Sequence, residues 1–278
     1  MNTAELTGLI FVGGVAAGLL GALTGLGGGV VIVPLLTVVF GVDIKYAIGA
    51  ALVSVIATSS GAAAAYVREG YSNVRVGMFL EIATTIGALT GAAIAIYLRA
   101  SVIAMVFGAV LLYSAYLTFR QKEHETTEVA PDRIAARLRL DGQYPTADGM
   151  TSYRVRNVPG GFALMYVAGV LSGLLGIGSG AVKVLAMDQV MKLPFKVSTT
   201  TSNFMIGVTA AASAGIYLSR GYIDPGLAMP VMLGVLGGSL IGARVLAGAR
   251  VRVLRVVFTL VIAALGVEMI FNALTGRI

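Results

Sequence analysis

The chain has 278 residues, 57% of them hydrophobic and 12% charged, with a mean hydropathy of +0.90 and a formal net charge of +7. A soluble domain carries roughly 25% charged residues, so this composition describes a polytopic integral membrane protein set in a lipid bilayer. The absence of cysteine excludes disulfides, Cys-based metal sites and thiol catalysis. The basic residues cluster between apolar segments, where they act as topology determinants, so no nucleic acid partner is expected.

The N-terminal MNTAELTGLIF lacks the basic region of a signal peptide and opens the first membrane segment. That apolar region, 7–40, exceeds the about 20 residues of one helical crossing and is interrupted by GLGGG at 25–29. Glycine is about 1 kcal/mol worse than alanine in a helix, so the cluster predicts a broken hairpin. Spanning helices are predicted at 46–67 and 76–98, with a slightly shorter one at 101–119. Residues 120–158 then carry seven Lys or Arg and six Asp or Glu, which predicts a soluble loop with a hairpin toward SYRVRNV. His124 stands there between two glutamates without partners at metal-ligand spacing, so no metal or other cofactor is expected. A second overlong apolar region, 160–191, is broken by GIGSG at 176–180, and further spans are predicted at 197–218, 226–247 and 253–272. The expected organisation is an N-terminal membrane unit (1–119), a hydrophilic loop (120–158) and a C-terminal membrane unit (159–278).

Adding 151 to a residue number superposes the two membrane units without a gap. Gly18, Gly25, Gly27 and Gly29 match Gly169, Gly176, Gly178 and Gly180, while Lys45, Tyr66, Tyr71 and Arg99 match Lys196, Tyr217, Tyr222 and Arg250. Charge distribution bears on whether the repeats are parallel or inverted. If both broken regions are simple crossings, 11 Lys/Arg lie inside and seven outside; if both return to their own side, the split is 14 to four, leaving out Lys183 and Arg244 within segments. The positive-inside rule prefers the second arrangement. The expected fold is therefore all-α, with two inverted repeats, each a broken glycine-rich hairpin plus three transmembrane helices. It places the N-terminus outside and the central loop in the cytoplasm. Inverted repeats around broken helices bind substrate near the midplane.

GLLGIGSGAVKVLAM, residues 173–187, joins a lysine to the second break. A break exposes backbone N–H groups that favour an anion, and Lys183 adds a cation beside them. The next helix begins KVSTTTSNF, an unusually polar run whose first-half counterpart, KYAIGAALV, is apolar. The predicted anion site thus comprises Lys183, Ser179, Gly180, Thr200, Thr201, Ser202 and Asn203, faced by Gly27, Gly28 and Gly29. Glu81 and Arg244 are candidates for ion coupling or a structural ion pair. Serines and threonines in such helices also bond their own backbone, and intramembrane lysines also snorkel. Lys45 and Lys196 are symmetry mates near opposite mouths, suited to drawing anions in. No nucleophile–base pair, metal cluster or phosphate-binding loop is visible, which excludes an intramembrane enzyme and ATP drive within the chain.

GLLGALTGLGGGVVIVPLL at 18–36, its echo at 173–187 and KVSTTTSNF together resemble the sulfite exporter TauE/SafE family. The resemblance covers both membrane units and implies a permease for a small sulfur oxyanion or organosulfonate, in a bacterial or archaeal cytoplasmic membrane. The expected activity is secondary transport, with export the favoured direction. The alternative is an anion channel, or an uptake permease for another small anion, using the same site. The second motif departs from the first by Ser179 opposite Gly28, Lys183 opposite Ile32 and Leu185 opposite Pro34. The sequence leaves a homodimer open.

Overall fold

The computed structural model describes residues 3–24, 28–68, 72–120, 132–146, 149–246 and 251–277. Among them the architecture is all-α apart from one short hairpin. The first half comprises α1 (Thr3–Thr24), α2 (Gly29–Pro34) running into a π-helical turn (Leu35–Val39), α3 (Ile44–Arg68), α4 (Val74–Tyr97) and α5 (Ala100–Arg120). A short helix α6 (Arg133–Arg137) and the antiparallel strands β1 (Gly142–Thr146) and β2 (Gly149–Tyr153) follow. The second half comprises α7 (Val158–Leu175), α8 (Gly180–Leu185) with its own π turn (Ala186–Val190), α9 (Phe195–Ser219), α10 (Pro225–Leu246) and α11 (Val251–Leu274). The 151-residue offset carries the bounds of α2, its π turn and α3 onto those of α8, its π turn and α9.

α4 buries most of its small residues and exposes several large ones. On α4, Gly77, Ala83, Gly87, Ala88, Gly91, Ala92 and Ala95 are buried, while Met78, Ile82, Ile86 and Leu89 are exposed. The exposed set recurs every three or four residues, which is one helical face. Water rejects such a stripe, whereas lipid accepts it. The inward glycines set the packing. Gly87 and Gly91 of α4 interlock with Gly169 and Gly173 of α7, and a Cβ on any of the four would strike the partner's carbonyl. Gly14 and Gly18 of α1 and Gly234 and Gly238 of α10 repeat the arrangement at the equivalent interface. All four pairs have the spacing that lets membrane helices approach backbone to backbone. By length and apolar composition, α4 and α7 are long enough to cross a membrane, and the other apolar stretches of the described residues are shorter.

α4 relates the halves. At its start, the Asn73 N–H donates to Thr201 Oγ1 near the start of α9. At its other end, Lys45 Nζ, near the start of α3, donates to the Ile96 carbonyl at 2.8 Å. The equivalent helices α3 and α9 therefore begin at opposite ends of α4. The hydrophilic segment packs on the α9-start end, where Ala135, Leu140, Tyr153 and Val155 are buried against Val76, Met191, Leu193 and Val197. The strand pair β1–β2 sits just before the expected SYRVRNV and includes only its first two residues. His124 lies outside the described residues.

Candidate functional site

The second break is built from three residues in the left-handed region: Gly176 (φ 69°), Gly178 (φ 70°) and Ser179 (φ 48°). Gly176 ends α7, its N–H donating to the Ser172 carbonyl at 2.8 Å. An alanine-like Cβ rarely adopts these angles, so Ser179 is the one costly member. Its hydroxyl is buried and lacks a hydrogen-bond partner, as does that of Ser198 on α9. Gly28, its first-half counterpart, is right-handed (φ −65°). The two breaks meet at Gly29, which packs on the Gly176 carbonyl and on Ile177, whereas Gly28 turns toward Val235 of α10. Gly27 lies outside the described residues.

Lys183 is fully buried, with 0% of its surface exposed. Helical side chains lean toward the helix N-terminus, and Lys183 Nζ reaches past its own turn to Thr209 Oγ1 on α9 at 2.6 Å. The same hydroxyl stands 2.7 Å from Glu81 Oε1 on α4. Thr85 adds a donor to that oxygen at 3.2 Å. Glu81 Oε2 is buried with no hydrogen-bond partner. Buried charges persist only when paired and hydrogen-bonded, and here one threonine hydroxyl joins cation to anion. Glu81 lies about two turns into α4, roughly 10 Å from the helix start at 1.5 Å per residue.

The polar run at the start of α9 divides by face. Thr200 donates to carbonyls of its own helix, Lys196 O at 3.0 Å and Val197 O at 3.2 Å. Thr201 is buried and receives the Asn73 N–H. Ser202 reaches α8, donating to the Gly180 carbonyl at 3.3 Å. Asn203 is half-buried beside it. Ser198, Ser202 and Thr209 fall on one face, being four and seven residues apart. Thr209 and Asn73, which organise this centre, escape sequence reading. A heptad count from Ser202 reaches Thr209, but only the fold shows that Glu81 lies opposite. The Arg244 side chain lies outside the described residues. Lys45 is engaged at the end of α4 and lies over the Tyr222 ring, 5.6 Å from its centroid.

The profile of the sulfite exporter TauE/SafE family matches residues 10–269. The chain belongs to this family. It is similar along nearly all its length to the probable membrane transporter protein YunE of Bacillus subtilis, with 27% identity over 274 residues covering 96% of this chain and 98% of the relative. The probable membrane transporter protein YdhB of the same organism is 27% identical over 238 residues, covering 85% and 87% of the two chains. The archaeal probable membrane transporter protein MJ0441, from Methanocaldococcus jannaschii, is 22% identical over 277 residues, covering 94% of each chain. No solved structure matches. The family and these relatives are described as membrane transporters, which makes the chain an integral membrane transporter.

Proposed function

We propose that the protein is a secondary transporter of a small sulfur-containing anion, such as sulfite or an organosulfonate, and that it binds this anion between the broken helices of two inverted repeats. The observation that carries the reading is Lys183, a fully buried cation behind a glycine break whose serine hydroxyl has no partner. An ionisable residue buried within a membrane protein is a functional-site candidate by default. The proposed site adds Ser179, Gly180, Thr200, Thr201, Ser202 and Asn203; Ser202 bonding the Gly180 carbonyl and Gly29 packing on Gly176 support it. Inversion is supported by the start of α3 and the start of α9 lying at opposite ends of α4. The charge distribution supports a cytoplasmic α9-start end with its docked hydrophilic segment and an external N-terminus.

A monoanion that carries its charge out of an inside-negative cell gains about 2.3 kcal/mol per 100 mV, so export of an uncompensated anion needs no coupling ion. The test is calorimetric or thermal-shift binding to purified protein, using sulfite, sulfate, thiosulfate, taurine and sulfoacetate, on the native chain and Lys183→Ala. Saturable stabilisation by a sulfur anion that the variant loses is the expected result. Equal binding by the variant would remove Lys183 from the site.

A further inference from the structure

The charges of the central cluster balance as they stand. Lys183 supplies one cation and Glu81 one anion, joined through the Thr209 hydroxyl. Adding a substrate anion to this pair would leave an uncompensated charge among buried groups, which costs several kcal/mol. Glu81 also has one oxygen, Oε2, that is buried and receives no donor. No protein donor occupies this oxygen, so it is open to a proton. The elements packed on α4 are α7 and α9. Among the described residues, α7 brings only Tyr166, which donates to Thr90 well along α4. α9 brings Thr209, with Lys196 at its start and Tyr217 near its end, the latter donating to the Gly173 carbonyl. α8 brings Lys183, and Asp188 follows in its π turn beside Gln189.

Resting on the anion-transport reading above, we propose that Glu81 is an internal counter-anion that yields Lys183 to the substrate and takes up one proton as it does so, making the protein a symporter of one proton with each anion. Before binding, the Glu81 carboxylate balances Lys183. On binding, the substrate anion accepts from Lys183 Nζ, and a proton from water bonds to Glu81 Oε2. The cluster holds one net pair of charges in both states. On release the O–H bond breaks and the proton leaves with the anion. A monoanion then crosses without net charge, so the potential neither drives nor opposes it, and the direction of flux is set by the anion's own gradient together with the pH difference.

The experiment uses purified full-length protein in proteoliposomes. The probes are methanesulfonate, isethionate and thiosulfate, none of which gains a proton near neutral pH. Flux is driven either by a pH difference or by a valinomycin-clamped potential, with proton movement followed by a trapped dye. The expected result is methanesulfonate or isethionate flux that follows the pH difference, ignores the potential and moves one proton per anion; thiosulfate would carry a proton too but retain net charge. Glu81→Gln should still move the anion, lose the proton and become driven by the potential. Wild-type flux that follows the potential without protons overturns the symport while leaving the anion reading intact. If no probe crosses, both readings fall together. Should Glu81→Gln not reconstitute, the wild-type proton count decides, with Glu81→Asp, which keeps the titratable group, expected to retain coupling.

Discussion

Gly29, at the head of α2, and Gly176, at the tail of α7, are in backbone contact: a Cβ added to Gly29 would stand 3.0 Å from the Gly176 carbonyl oxygen and 2.9 Å from Val55 Cγ2. The two halves touch where each leaves its helical path. Gly29→Ala must push the Val55 methyl aside and crowd the Gly176 carbonyl, and should destabilise the protein by about 1–3 kcal/mol. Gly215 of α9 has open space around it, so Gly215→Ala should be neutral or stabilising by up to about 1 kcal/mol. Thermal unfolding in detergent, run on both variants, checks the contrast.

Thr209→Val keeps the side-chain shape and removes the hydroxyl between Lys183 and Glu81. It leaves two buried charged groups short of a partner, which should cost about 1–3 kcal/mol. Thr209→Ser restores the hydroxyl and should recover most of the loss. Unfolding midpoints of the three proteins separate lost hydrogen bonding from lost packing, because valine would then match wild type.

The Asn73 side chain ties three groups together. Its side-chain oxygen caps α4 at Val76 N, 3.0 Å away, while its amide donates to the Leu140 carbonyl at 2.9 Å and to Tyr153 Oη at 2.8 Å. Burial pushes the Tyr153 phenol up to about 12, and the Asn73 bond partly offsets that. Asn73→Ala should lose about 1 kcal/mol of capping, raise the Tyr153 phenol further and speed proteolysis within residues 132–157. Spectroscopic phenol titration and limited digestion test this. Unchanged digestion would mean that the segment is held by its apolar contacts alone.

Asp132 spans α6 and α7, accepting from Ile134 N at 2.8 Å and Val158 N at 3.3 Å. The Ile134 N–H foremost, with that of Val158, holds its carboxyl below the usual carboxylate range. A depressed carboxyl stabilises the fold above its unfolded value, and that stabilisation disappears as pH falls through the folded value. Hydrogen-exchange protection factors at α6 and the start of α7 should therefore fall in acid. Asp132→Asn, which keeps a capping oxygen but cannot titrate, should flatten that acid dependence.

Much of the helical framework was legible because membrane helices declare themselves through long apolar runs and glycines interrupt them. The segments expected at 46–67, 76–98, 197–218 and 226–247 coincide closely with α3, α4, α9 and α10. The polar run at 198–203 was visible as composition, yet its residues have different partners: Thr200 its own helix, Thr201 the head of α4, Ser202 the second break. A one-residue step turns a helical side chain by about 100°, and sequence alone does not say which direction faces a neighbour. The hydrophilic segment was read as solvated from its charge, but Leu140, Tyr153 and Val155 are buried among those charges.

By itself the sequence determined that this chain lives in lipid, that it is helical, where its glycine breaks fall and that a lysine stands beside one of them. Those properties are local, set by residue type and spacing along the chain. Tertiary structure decided that Lys183 faces Glu81 through Thr209, that Gly29 meets Gly176, and that Asn73 joins α4 to α9 and the docked segment. Each of these contacts joins residues far apart in the chain and depends on how the helices pack, a geometry that no stretch of sequence holds alone.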